Sequence, residues 1–430
     1  MKLTRADQEM LDGTHGEAQR RAMEGLVQLG DAFGAEDMVD IGYAHVHPGM
    51  ALYAQDVELM EELVELGAKM VVPTSANVTN VDTDNWRLTG APEKLARLHQ
   101  RGVDAHTQLG CASAMTCTPY WAGHWPTWNT HMTSIESTVT IFCNSVLGAR
   151  SNRDGFFSVY AGMTGRYPRF GYHLDAMRVG THLVRVEAPL ETTTDFSCLG
   201  FHVGKFVGTE VPVFTGFERR PSLDDLDAMG ATLATSGSVS MYIVPGVTPP
   251  YLSVEAAFGG AKPVHEIVVK QSDIEAAYDI FAGTAGSAVD FVHVGCPHAS
   301  FEEMKDYARL LSGKKVHDTV EMWVTTSRAV RSMAAEAGLI KTIEGAGAKV
   351  ISDTCPMSCH FARTTSPDAD IELPEPHMRT MVLDSAKQAK YVRDMIRCET
   401  LLTSTEAAVE SAVSGRFVPR FGQSGGGDRP

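Results

Sequence analysis

Residues 289–352 read VDFVHVGCPHASFEEMKDYARLLSGKKVHDTVEMWVTTSRAVRSMAAEAGLIKTIEGAGAKVIS. VDFVHVG (289–295) is an apolar run of strand length, and residues 320–325 and 348–351 repeat the pattern. Between the first two, Ser300 and Glu303 have capping-box spacing, and Phe301, Met304, Ala308 and Leu311 share one helical face. A helix is predicted over 327–337 and a shorter helical piece over 338–347. Strand and helix alternating at this spacing is the rhythm of parallel strands joined by crossover helices.

The rhythm extends outward. Residues 5–33 read as helical and 38–41 as a short strand. Asp56 is placed to cap a helix carrying Val57, Met60 and Val64, which Gly67 ends, and 69–72 read as a buried strand. Residues 148–260, richer in Gly, Pro and Thr, are expected to carry mixed structure and long loops. The prediction is an α/β protein with mainly parallel sheets flanked by helices. Its three regions are 1–145, 146–285 and 286–423, followed by a flexible tail at 424–430.

Composition narrows the function classes. The 430 residues carry a formal net charge of −16 without a lysine or arginine block, which argues against nucleic acid or an anionic membrane as partner. Residues 1–13 are charged and lack the apolar core of a signal peptide, and no apolar run spans a bilayer. A cytoplasmic protein is expected, and its eight cysteines are read as thiols or metal ligands instead of disulfides.

Three cysteines share a setting. Cys296 follows the strand-like run 289–295 and precedes a helix start, Cys355 lies just past the strand at 348–351, and Cys117 follows the apolar stretch 103–109. Proline comes within two positions of each, at Pro297, Pro356 and Pro119. Loops beyond the carboxyl ends of parallel strands line the ligand crevice of α/β proteins, and a nearby helix N-terminus favours thiolate. Three such thiols, converging, would hold a cluster with one iron left open to substrate. A single cysteine is more often core packing, and Cys111, Cys143, Cys198 and Cys398 are read that way, with Cys359 ambiguous.

Further motifs make the pattern specific. HGEAQRRAM (15–23), YAHVHPGMALY (43–53), VVPTSANVTNVD (71–82), TCTPY (116–120) and IESTVTIFCNSVLGARSNRDG (135–155) occur in order. LGFHVGKFVGTEVPVFTG (199–216), FVHVGCPHASFEEM (291–304), EMWVTTSRAV (321–330), VISDTCP (350–356) and DSAKQAKY (384–391) follow. Together they resemble the aconitase X family over nearly the whole chain. The resemblance implies an aconitase-like large subunit with several α/β domains around a central cleft. It implies an iron–sulfur cluster on Cys117, Cys296 and Cys355, with 2Fe–2S the first reading and 3Fe–4S or 4Fe–4S the alternatives. It also implies a small swivelling-domain partner subunit that supplies a serine base.

The implied activity is dehydration of cis-3-hydroxy-L-proline to Δ1-pyrroline-2-carboxylate, with mevalonate 5-phosphate as the alternative substrate. DSAK, HVHPGM and TSANV depart from the family's usual Ser-Gly-Lys, Ile-Asp-Gly and Thr-Leu-Asn-Val runs, all in predicted substrate loops. Glu136, Ser137 and Lys387 are the catalytic candidates. His45, Thr74, Asn77, Asn80, Asn144, Arg150, Arg153, Lys205 and Ser385 are the substrate-binding candidates, the two arginines first for a carboxylate. His298 and His360 adjoin ligand cysteines as candidate hydrogen-bond donors to the cluster. Two competing classes are a non-catalytic iron–sulfur sensor or assembly subunit and a metal-free α/β enzyme whose cysteines only pack.

Overall fold

The computed structural model describes residues 1–47, 54–361, 371–375 and 377–421. The tail at 424–430 and the Pro48–Met50 part of HVHPGM lie outside the described residues. The N-terminal part contributes β1 (Met38–Asp40), β2 (Tyr43–Val46), β3 (Thr74–Ala76), β4 (His131–Ser134), β5 (Arg150–Arg153) and β6 (Arg166–Pro168). β2 to β5 form a parallel sheet in the order β3-β2-β4-β5, and β1 pairs antiparallel with β6. β5 and β6 thus join this unit although they lie beyond residue 145.

The middle forms a parallel sheet in the order β8-β7-β9, from β7 (His182–Val186), β8 (Pro212–Thr215) and β9 (His265–Val269). The last part adds β10 (Phe291–Ala299), β11 (Glu321–Thr326), β12 (Lys349–Ser352), β13 (Thr380–Leu383) and β14 (Glu399–Leu402), all parallel, in the order β12-β11-β10-β13-β14. β-branched and aromatic residues fill both buried faces here, and Trp323 is fully buried between Phe291 and Phe361. The helix Phe301–Leu311 carries the Ser300/Glu303 capping box and buries Met304, Ala308 and Leu311 as its spacing predicts.

Four local expectations are corrected. Residues 69–72 are not a strand: Met70 and Val71 donate to the carbonyls of Leu109 and Gly162 at the ends of helices, and the strand starts after Pro73. Asp56 lies in the first turn of the helix Ala54–Glu65, not at its cap. The stretch 5–33 is two helices, Arg5–Leu11 and Glu17–Ala32, because Gly13 and Gly16 take positive φ between them.

The fourth correction is the regularity of 148–260. Helices Thr193–Val207 and Leu223–Gly237 pack so closely that a Cβ on Gly200 would stand 2.3 Å from the Met229 carbonyl oxygen. Glycines that suggest loop in sequence are here the contact surface of a helix pair. These two helices and the strands beside them form the largest core, which reaches Trp323 and Met381 in the last sheet.

Candidate active site

Five segments aim side chains at one place. β10 hydrogen bonds to β11 through Val294, then its register slips before Ala299, with Gly295 at φ 94°. A Cβ at Gly295 would stand 2.3 Å from the Thr325 carbonyl oxygen, so the strand approaches its neighbour as only glycine allows. The bulge puts Cys296 inside a strand, not in the strand-to-helix turn expected from sequence. Cys355 follows the end of β12, and Cys117 lies on the loop that leaves the β3 edge through the Ser75–Ala112 bridge. Glu136 follows β4 and caps the helix Ser137–Ser145, and Lys387 lies in the first turn of the helix Ala386–Met395 after β13.

One cavity is lined by all three sulfur-bearing residues, Cys117, Cys296 and Cys355, together with Glu136, His298 and Lys387. All three cysteines are free thiols. Burial pushes each thiol up, Cys296 to about 12, and in all three the positive charge of Lys387 acts in the opposite direction. For Cys117 and Cys296 the ammonium is the largest opposing influence, whereas for Cys355 hydrogen bonds from Ser358 and from the Ser358 and Met357 backbone come first. The His298 backbone N–H lies 3.4 Å from Cys117 Sγ, and Ser358 Oγ lies 3.4 Å from Cys355 Sγ.

Lys387 is buried and donates to Thr138 Oγ1 at 2.6 Å and to Glu136 Oε1 at 3.2 Å. Burial would discharge this lysine, but the Glu136 carboxylate reverses the effect and raises it above the ordinary lysine range. Burial would likewise neutralise Glu136, yet the Lys387 charge and the Thr138 N–H hold it ionised, down to about 2. The result is a buried, charged Lys–Glu pair beside three thiols. Asn77 Nδ2 approaches Glu136 Oε2 at 3.4 Å. His45 Nδ1 bonds Ser75 Oγ at 2.7 Å, and burial depresses His45 to about 4. His45 Nε2, Asn77 Oδ1 and Asn80 Oδ1 are all buried without a hydrogen-bond partner. Such groups are costly unless something fills the space they face.

The remaining candidates divide. Ser137 contacts Glu136 Oε1 at 3.3 Å, and Arg153, exposed at the end of β5, adds its field at Glu136. Asn80 donates to the Ser358 carbonyl and so ties the loop after β3 to the Cys355 loop. Ser385 caps its helix and faces Cys296 from a neighbouring cavity that Asp224, Asp227, Glu303 and Asp384 also line. Four others stand elsewhere. Thr74, at the start of β3, donates to the Val72 carbonyl. Asn144 is spent on Ser151, Ser240 and Arg178. Arg150, at the opposite end of β5 from Arg153, pairs with Asp175, and Lys205 lies over the Phe201 ring on the outer side of its helix. His360 packs on Phe361 instead of facing the cavity, and Cys359 is core. Thr138 and Ser358 escaped the sequence reading because hydroxyls one turn into a helix or loop carry no spacing signal.

Three thiols and their hydrogen-bond donors, under the field of a buried cation, suit thiolate ligation. Among the described residues no three His, Cys, Asp or Glu side chains close around a single-ion position. A cluster differs in distributing its thiolates over several irons.

A bulged strand and two loops gather three thiols beside a buried ion pair, and the relatives of this chain put it in a class, the hydro-lyases of the aconitase superfamily. The models of the aconitase X first, second and third domains match residues 1–176, 180–279 and 289–414. The chain is similar to the phosphomevalonate dehydratase large subunit of Methanothermobacter thermautotrophicus, 37% identical over 91% of this chain and 94% of that one. It is also similar to the cis-3-hydroxy-L-proline dehydratase of Pseudomonas aeruginosa, 33% identical over 96% of this chain and 70% of that protein. The holo-form crystal structure of Thermococcus kodakaraensis aconitase X superposes with a TM-score of 0.83 at 31% identity, covering 96% of this chain and all of that one. The chain belongs to the aconitase X family. It is a dehydratase, and an iron–sulfur cluster is implied by the family. No helix among the described residues is long and apolar enough to cross a membrane.

Proposed function

We propose that this chain is the cluster-bearing large subunit of a dehydratase acting on cis-3-hydroxy-L-proline. The observation that carries the reading is the convergence of Cys117, Cys296 and Cys355 on one cavity beside the Lys387–Glu136 pair. Those three thiolates would hold the cluster, with 2Fe–2S the first choice. When bound, the cluster supplies a Lewis-acidic iron that makes the substrate hydroxyl a better leaving group.

The protein's own residues bind and orient. Lys387, kept charged by Glu136, holds positive potential at the cavity wall, which suits the thiolates and an anionic substrate. Arg153 is the arginine whose position suits the substrate carboxylate, as Arg150 is committed to Asp175. Glu136, ionised, suits the ring ammonium of an imino acid. His45 and Asn77 add neutral, buried polar groups close to Glu136. The proton next to the leaving hydroxyl is removed by a serine on a small partner subunit, consistent with the large-subunit relatives.

The second reading is mevalonate 5-phosphate, favoured by the higher identity and the near full-length match to an archaeal large subunit. Hydroxyproline is preferred because a phosphate dianion calls for clustered free cations or an amide nest, whereas Lys387, the one lysine among the described residues that line the cavity, is already paired. Co-expression with a small swivelling-domain subunit, anaerobic purification and assay of both compounds tests the proposal. Hydroxyproline turnover with visible charge-transfer absorption is expected. A preparation that takes up no iron on reconstitution overturns it.

A further inference from the structure

His298 touches every loop that carries a sulfur. Its ring Nε2 lies 3.1 Å from the Thr354 carbonyl oxygen, next to Cys355. A carbonyl only accepts, so Nε2 bears the proton and Nδ1 is the acceptor. Nδ1 lies 3.1 Å from Thr116 Oγ1, next to Cys117, so the Thr116 hydroxyl is the donor there. Thr118, on the other side of Cys117, returns the contact by donating to the His298 carbonyl at 3.1 Å. The His298 backbone N–H points at Cys117 Sγ at 3.4 Å, and the residue follows Cys296 by two positions. The side chain is 2% exposed.

We propose that His298 is a positioning residue of the cluster cradle, a side chain that holds the Cys117 and Cys355 loops in register with the Cys296 strand. This rests on the cluster reading above. The three loops come from two different sheets, and the backbone ladders of β10 to β12 do not reach the Cys117 loop. With the imidazole gone, the Thr354 carbonyl and the Thr116 hydroxyl lose their common partner, and the Cys117 loop is left with contacts to the His298 backbone, from Thr118 and at Cys117 Sγ, and with the Thr116 N–H on the Ala76 carbonyl. Removing such outer hydrogen bonds around metal ligands characteristically weakens metal retention by about 10–100-fold.

The test compares parent, His298→Ala, His298→Gln and Thr116→Val proteins, each reconstituted anaerobically with iron and sulfide. Iron per chain, visible absorption and the rate of bleaching by a chelator are measured, along with the thermal midpoint of the cluster-free forms. Expected is bleaching about 10–100-fold faster for His298→Ala and a smaller effect for Thr116→Val, which leaves the Nε2 bond intact. Partial rescue by His298→Gln, whose amide N–H can still meet the Thr354 carbonyl, is expected too, with cluster-free midpoints near the parent's. Parent-like retention in His298→Ala overturns the inference, as does cluster loss that merely tracks a fall in cluster-free midpoint across all variants. A parent that takes up no cluster defeats the proposed function instead, so the two failures are distinct.

Discussion

Replacing Lys387 with methionine keeps most of the side-chain volume and removes the charge. In the parent, Nζ and Glu136 Oε1 are 3.2 Å apart, with side-chain exposures of 4% and 13%. At an effective dielectric of 20 that separation is a gross attraction of about 5 kcal/mol. Losing one partner of a buried pair typically costs about 3–5 kcal/mol, because the other charge is stranded. The expected loss of stability at pH 7.5 is therefore about 3–5 kcal/mol. Glu136 supplies the pH signature. Its folded value, about 2, lies below the ordinary 4.5, so its contribution is present above pH 4.5 and fades as the pH falls toward 2. That difference is worth about 3 kcal/mol. In Lys387→Met the carboxyl has lost the cation that held it down, so burial raises it and the gap between parent and variant closes as acid protonates it. Urea unfolding of the cluster-free protein between pH 4 and 8 measures this, and Lys387→Met/Glu136→Gln is expected to recover most of the loss. A single variant within 1 kcal/mol of the parent, or a double variant no better than the single, refutes the reasoning.

Other predictions address different parts of the molecule. Serine at Cys117, Cys296 or Cys355 should each abolish cluster retention, whereas serine at Cys143 should not, as read by iron content after reconstitution. Asp384 is raised by burial from 3.8 to about 7, so the stability tied to it is full below pH 3.8 and lost as the pH climbs through 7. Asp384→Asn, which keeps an acceptor for Thr405, should gain about 1–3 kcal/mol at pH 8 and almost nothing at pH 4 in thermal melts. Gly200→Ala forces a methyl against the Met229 carbonyl and should destabilise by about 1–3 kcal/mol, measured by denaturant unfolding. Arg153→Ala should raise KM roughly tenfold or more in the two-subunit assay, while Arg150→Ala leaves KM near the parent value; equal effects would remove Arg153 from the substrate contacts.

The α/β class and the last sheet were legible in the residues themselves, because strand and helix periods there are set by short-range burial. The 300/303 capping box and the apolar runs of β10 to β12 mark their own boundaries. The three cysteines stood out through strand-end context, and family motifs made them a set. Tertiary structure decided what no linear pattern encodes. Glycines at 200 and 204 signal a helix contact only once the partner helix is in place. Lys387 reads as an ordinary helical lysine until a strand end 251 residues away brings Glu136 to it. Arg150 and Arg153 look interchangeable in GARSNRDG, yet they occupy opposite ends of one strand, so one pairs with Asp175 while the charge of the other acts on Glu136. Local sequence sets periodicity and caps because those are interactions between near neighbours. Which charges meet in a buried site depends on chain crossings hundreds of residues apart, and only the folded sheets bring those together.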